Sequence, residues 1–218
     1  MTEYEARQKV VGVMRGWVGL SSASGTHKQI LEVYNSQVKL PRGYKVKTSD
    51  AWCADTVSAA FIKAGLSDLC PLECSCSQMI KKAKQRHIWD EDDSYVPTCG
   101  DIIFYDWQDS GKGDNTGQPD HVGIVESCTA GVITVIEGNK SGVVGRRTIA
   151  VGGKYIRGFC TPMFTKVAGN ESEYIQVAKD VIAGKYGNGE QRKEKLAAAG
   201  YKYSRVQKLV NALMEKEK

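Results

Sequence analysis

Ser49-Asp50-Ala51-Trp52-Cys53-Ala54-Asp55-Thr56-Val57 leads into a helix, and His121-Val122-Gly123-Ile124-Val125 opens an apolar run further along the chain. A third stretch, Glu137-Gly138-Asn139, closes the next apolar run. A thiol, an imidazole and an orienting acid or amide in that order are the parts of a cysteine-nucleophile site. Ser49 or Asp50 is expected to cap the first of these helices, accepting from its orphan amides. Val57, Ala60, Phe61 and Ala64 recur at helical spacing, and Gly65 follows as a stop. Cys53 therefore falls in the first turn, where the positive end of the helix dipole favours thiolate over thiol. The competing reading is a small buried hydrophobe, because the chain has seven cysteines.

Gly100 to Tyr105, His121 to Glu126 and Val132 to Glu137 read as strands, being short, β-branched and flanked by turn residues. Thr129-Ala130-Gly131 would join the last two as a three-residue hairpin loop, with Gly131 left-handed. Pairing Cys128 with Val132 then carries the ladder back until His121 lies opposite Asn139, with Glu137 its diagonal neighbour on the same face. A slip of one residue would move these groups to opposite faces. In that register His121 is the base, and Glu137 or Asn139 fixes its tautomer and orientation.

Ser49 to Phe61, Gly100-Asp101-Ile102-Ile103-Phe104, His121 to Val125 and Glu137-Gly138-Asn139 together resemble the CHAP family. These are cysteine- and histidine-dependent amidohydrolases and peptidases with a papain-like fold, many of them bacteriophage endolysins. The resemblance covers about the first 163 residues. It implies Cys53 as nucleophile, His121 as base, Glu137 as orienter and Asn139 as a supporting polar group. Some relatives carry a calcium-binding run of aspartates just before the nucleophile. Gly43 to Ser49 offers no carboxylate, so no calcium requirement, and no other cofactor, is expected.

The C-terminal end carries a second signal. Ser172 to Lys185 has Ile175, Ala178, Val181 and Ile182 on one face, with Gly184 near its end. Asn188-Gly189-Glu190 can start another helix, running through Leu196 to Gly200, and a third carries Val206, Leu209, Val210 and Leu213. Three such short helices make a small bundle of marginal stability. The string Val177-Ala178-Lys179-Asp180-Val181-Ile182-Ala183-Gly184-Lys185-Tyr186-Gly187-Asn188-Gly189, and its continuation through Arg192, Tyr201, Gln207 and Asn211, resembles the cell-wall-binding repeat of Cpl-type phage lysozymes. That resemblance implies a module that docks on peptidoglycan. Tyr186, Asn188, Arg192, Tyr201 and Gln207, polar or aromatic and lying between the helices, are its candidate contacts.

The expected architecture is α+β: a papain-like domain over 1–164 with helices leading and an antiparallel sheet trailing, a linker over 165–171, and a three-helix repeat over 172–218. Thr2 and Glu5 form a capping box for a first helix carrying Val10, Val11, Met14, Trp17 and Val18. Thr26 to Tyr34 is a second, and Ser75 or Ser77 caps a fourth that reaches Arg86. Asp109 to Pro119, rich in Gly, Asp and Asn, is expected at the rim of a substrate groove.

Charge and cysteine usage set further bounds. The net charge is +5, and residues 165 to 218 carry eleven positive and seven negative side chains. An anionic wall polymer would attract that surface. The lysines are interspersed with glutamates, which marks a solvated helical face rather than a nucleic-acid site. No stretch is long and apolar enough to insert in a membrane. No secretory signal opens the chain, which fits synthesis in host cytoplasm before release to the wall. Cys70, Cys74 and Cys76, weighed against a zinc site with His87, read with the other cysteines as reduced thiols without a role. Two other function classes stay open: a non-catalytic wall-binding protein with a degenerate cysteine domain, and a cysteine acyltransferase or protease acting on protein.

Overall fold

The computed structural model describes residues 1–112, 114–167 and 171–215. Four helices lead: α1 (Glu3–Trp17), α2 (Lys28–Asn35), α3 (Cys53–Lys63) and α4 (Cys76–Gln85). Six strands follow: β1 (Trp89–Asp90), β2 (Ile102–Tyr105), β3 (His121–Thr129), β4 (Val132–Lys140), β5 (Val143–Ala150) and β6 (Ile156–Cys160). They form one antiparallel sheet in the order β1-β6-β2-β3-β4-β5. The fold is α+β, as the pattern of elements predicts.

Local chemistry explains where the elements begin. Thr2 caps α1 reciprocally, its hydroxyl accepting from Glu5 N (3.1 Å) while its own N–H donates to the Glu5 carboxylate (2.8 Å). The second helix starts at Lys28 rather than Thr26, because the Thr26 hydroxyl is held in a turn by Ser21 N (2.9 Å) and Ser24 Oγ (2.8 Å). Neither Ser49 nor Asp50 caps α3. Its N-cap is Trp52, which contributes backbone only, while Asp50 accepts from Lys47 N (2.8 Å) and the Tyr44 hydroxyl (2.9 Å). At the other end Gly65, at φ 68°, allows the Schellman pair Gly65 N–Ile62 O and Leu66 N–Phe61 O.

The β3–β4 hairpin departs from expectation twice, and the two departures cancel. Ala130 (φ 50°) and Gly131 (φ 71°) make a two-residue turn, pairing Thr129 with Val132 and Cys128 with Ile133. A bulge at Glu126 then takes up one residue, so that Val125 pairs with Val135 and Ile124 with Ile136. Near His121 the ladder has therefore regained the register that a three-residue loop would have produced. The bulged Glu126 points outward and accepts from Arg15 (2.7 Å) and Arg146 (2.6 Å).

The main core lies between the helices and one face of the sheet, joining Val10, Met14, Tyr34, Val57, Phe61 and Met79 to Ile102, Phe104, Val122, Ile124 and Ile136. Ile103, Tyr105, Val125, Ile133, Val135 and Phe159 fill a smaller cluster on the other face. Gly138 lets α3 pack close against β4. A Cβ there would overlap the Thr56 side chain, one turn along the helix from Cys53.

The C-terminal bundle consists of α5 (Glu171–Ile182), α6 (Gly189–Ala198) and α7 (Tyr203–Glu215). Its core is Tyr174, Val177, Ala178, Val181, Leu196, Val206 and Val210. The apolar stripe of α5 thus centres on Tyr174 and Val177, not on Ile175 and Ile182, and Ile182 is 42% exposed. Of the expected linker, Thr165 and Lys166 complete a 3₁₀ turn begun by the buried Phe164, while 168–170 lie outside the described residues. The bundle packs on the first domain: α6 contacts β3, Gly200 sits against Tyr4, and Arg205 approaches Glu3 at 3.9 Å. No helix among the described residues is long and apolar enough to cross a membrane.

Gly138→Ala is expected to destabilise the protein by about 2 kcal/mol, in the range of overpacking a tight contact. Any activity that needs Cys53 beside Glu137 should fall further than the loss of folded protein explains, because α3 is pushed away from the strand that carries Glu137. Thermal unfolding and activity assays on one preparation check this.

Candidate active site

Cys53 is the first residue of α3, with its side chain buried at one end of the sheet. His121 is the first residue of β3 and also buried. The two meet where α3 packs on β3 and β4, the sulfur bonding to the imidazole. Glu137, on the neighbouring strand and completely buried, places Oε2 3.2 Å from His121 Nε2. Nε2 is thereby engaged, which leaves Nδ1 for the sulfur. Gly123 makes room for this contact, since a Cβ there would lie 2.8 Å from Glu137 Cγ.

Asn139, the fourth predicted site residue, shares a cavity with His121. It adopts a left-handed conformation (φ 55°), which asparagine tolerates better than most residues. With His121, Trp107, Lys140, Ser141 and Arg147 it lines a cavity of about 400 Å³. Among the described residues its side chain makes no hydrogen bond to His121, so Glu137 is the group that holds the imidazole.

Two contacts escaped the sequence reading. Arg147 on β5 donates from Nε to Glu137 Oε1 at 2.7 Å and lies over the rings of Trp107 (4.8 Å) and Tyr105 (5.5 Å). Cys76, expected to have no role, places its sulfur 3.9 Å from that of Cys53. A sequence signal existed for Cys76, which follows the predicted cap Ser75 and so opens a helix as Cys53 does. For Arg147 nothing local distinguishes it from Arg146, which points to solvent. The Asp109–Pro119 loop runs from Trp107 back to His121, and Trp107 N donates to Asp120 at 2.7 Å. Among the described residues no three metal-ligating side chains converge, at His87 or elsewhere.

Electrostatics at the site favour separated charges. A hydrogen bond from Cys76, then His121, hold the Cys53 thiol well below its ordinary value against the opposing effect of burial. Burial disfavours a charged His121, but bonding to Cys53 and Glu137 outweighs it and raises the imidazolium to about 9. Burial likewise opposes charge on Glu137, and His121 and Arg147 reverse that and keep it ionised. These shifts favour a thiolate–imidazolium pair, with Glu137 between His121 and Arg147. Asp55 behaves in the opposite way. It is completely buried, neither oxygen has a hydrogen-bond partner among the described residues, and burial together with the Cys53 charge raises it to about 8.

In the bundle, the structure brings three of the five candidate contacts together. Arg192 donates to Asn188 Oδ1 (2.9 Å), Gln207 Oε1 (3.1 Å) and the Gly187 carbonyl (3.0 Å). Tyr201 lies edge-on to Tyr174 and gives its hydroxyl to Glu173 (2.8 Å), while Tyr186 packs half-buried on the same core.

Residues 43–139 match the CHAP domain family, a span that contains Cys53, His121, Glu137 and Asn139. Residues 176–214 match the CW_7 repeat. The chain therefore carries a CHAP domain followed by a CW_7 repeat. A CHAP domain implies a cysteine- and histidine-dependent hydrolase of peptidoglycan, and a CW_7 repeat implies binding to the cell wall. No curated protein and no solved structure matches the chain at a significant level.

The orphaned Asp55 carboxyl makes stability depend on pH with a definite sign. Between its unfolded value near 3.8 and its folded value of about 8, the folded state keeps a proton that the unfolded state releases. Its contribution to stability therefore falls as pH rises through that window. Asp55→Asn removes this term. Denaturant unfolding at about pH 5 and about pH 8 should show a smaller loss in the variant than in the parent, and equal losses would mean that Asp55 is ionised in the folded protein.

Proposed function

We propose that this protein is a bacteriophage-type endolysin that hydrolyses an amide bond of peptidoglycan with Cys53 as nucleophile. The observation that carries this is the buried line Cys53, His121, Glu137, in which the imidazole is fixed by a carboxylate at 3.2 Å. The Cys53 thiolate adds to the carbonyl carbon, and the backbone N–H of Cys53 at the helix N-terminus faces the developing oxyanion. The His121 imidazolium gives its proton to the departing amine nitrogen as the C–N bond breaks, leaving a thioester. His121, now neutral, takes a proton from water, the hydroxide attacks the thioester, and the carboxylate product leaves as the thiolate returns.

The bond cut is that between muramic acid and L-alanine, or a peptide bond of the stem or cross-bridge. Mass spectrometry of digested walls, with labelling of new amino termini, distinguishes them. The CW_7 repeat holds the enzyme on the wall, with Tyr186, Asn188, Arg192, Tyr201 and Gln207 as the contacts and its positive charge favouring anionic wall polymers. Seven unpaired cysteines fit synthesis in a reducing host cytoplasm before release to the wall.

Cys53→Ala and His121→Ala should each abolish lysis of target cells while retaining binding to purified walls, because members of such a unit act together. Lysis by Cys53→Ala above a few per cent of the parent, in a turbidity assay, would remove Cys53 from the mechanism. A degenerate, purely binding domain would show no clearing by the parent in a wall zymogram, and a protease would cleave casein.

Truncation after Lys166 should leave turnover of small soluble muropeptides little changed. Lysis of whole cells should fall on the order of ten-fold, since a linked binding module acts by raising local concentration. Equal lysis by the truncated and full chains would show that the repeat contributes no attachment.

A further inference from the structure

Cys76 touches the nucleophile yet takes no part in the bond changes of acyl transfer. It opens α4 as Cys53 opens α3, so two helix N-termini converge with their first-turn sulfurs 3.9 Å apart. Both side chains are nearly closed to solvent, at 5% and 8% exposure. The geometry points to Cys76 as a positioning residue, whose S–H donates to the Cys53 thiolate and holds that sulfur, as an anion, toward His121. This deepens the hydrolase reading and rests on Cys53 being its nucleophile.

A thiolate removed from water needs donors in place of the water it has lost. His121 supplies one from β3, and the backbone at Ala54 a second. Cys76 supplies a third, from the side of α4. Two thiols this close cannot both ionise, because the second charge would form against the first. The sulfur beside the imidazolium takes the charge, and the bond to Cys53, then burial, holds the proton on Cys76.

The other groups around the pair do not take over this task. Asp55, on α3, holds its own proton. From α2, Tyr34 lies near Asp55, and just ahead of that helix His27 packs at a tilt against Trp52 with ring centres 5.3 Å apart. Glu137 on β4 reaches the sulfur only through His121. Simple packing is the competing role for Cys76, and serine separates the two, since a hydroxyl keeps the donor in a similar volume.

Iodoacetamide alkylation of Cys53 in the full chain, followed against pH with the labelled peptide located by mass spectrometry, reads the thiolate directly. Cys76→Ala should raise the midpoint by about one pH unit, the size expected for losing one hydrogen bond to a charged group. Cys76→Ser should stay near the parent. An unchanged midpoint in Cys76→Ala, or a serine shift as large as that of alanine, overturns the assignment. If either Cys76 variant does not fold, Cys53→Ser gives the reciprocal measurement. With the neighbouring thiolate gone, Cys76 should alkylate with a midpoint lower than in the parent, and an unchanged midpoint again overturns the assignment. These titrations need no substrate, so they fail separately from the hydrolase reading, which falls if Cys53→Ala still lyses cells.

Discussion

Glu137 is a carboxylate with no access to solvent, and such a charge persists only if cations and donors replace the water it has lost. His121 takes one oxygen and Arg147 the other. The strand order follows this requirement closely. In the sheet β4 lies between β3 and β5, so the acid is flanked by the strand that carries the imidazole and the strand that carries the guanidinium. Glu137 pairs with Gly145, which makes Arg147 its diagonal neighbour on the same face, as His121 is from the other side. Alternation along β4 then turns Gly138 the opposite way, toward α3. Because Gly138 has no side chain, Thr56 can close on the strand, and the helix tip with Cys53 reaches the sheet's end.

Two carboxyls near one sulfur are thus driven to opposite states by their surroundings. Glu137, between two cations, stays ionised and stabilises the imidazolium. Asp55, buried two residues beyond Cys53 and without a donor among the described residues, is pushed toward its protonated form, which lessens negative charge against the thiolate. The pattern is one of environment, not residue type, and it lets an acid sit beside a thiolate without opposing it. The first turn of α3 adds its aligned amides to the same effect.

The parts of this site legible in the sequence were those set by local chemistry. The Thr2–Glu5 box, the spacing of Val57, Ala60 and Phe61, and the Cys53, His121, Glu137 order all depend on near neighbours or on residue type. The parts that were not legible depend on contacts between distant segments. The α3 cap went wrong because Asp50 found Tyr44 and Lys47 instead of the helix. The hairpin loop is one residue shorter than its sequence suggests, yet His121 and Glu137 still meet because the bulge at Glu126, held outward by Arg15 and Arg146, takes that residue back. No periodicity announces such a bulge. Nor does anything in Arg146-Arg147 say which arginine faces Glu137, since that is decided by the register of β5 alone. Cys76 met Cys53 only because two helices end at one point.

The position of the repeat bears on how the two modules divide the work. Glu194 of α6 lies near Cys128, toward the far end of β3 from His121, and Arg205 of α7 approaches Glu3 at the start of α1. The repeat is therefore docked at the end of the strand opposite His121, and among the described residues the cavity beside His121 is lined by residues of the first domain. So placed, the repeat is not a wall or a lid of that cavity. What remains for it is attachment, and the fixed contact through Glu3, Tyr4 and β3 makes that attachment directional. Binding by the Arg192 patch would present the cavity to the wall in a restricted range of orientations, whereas a long flexible tether would leave it free to turn away.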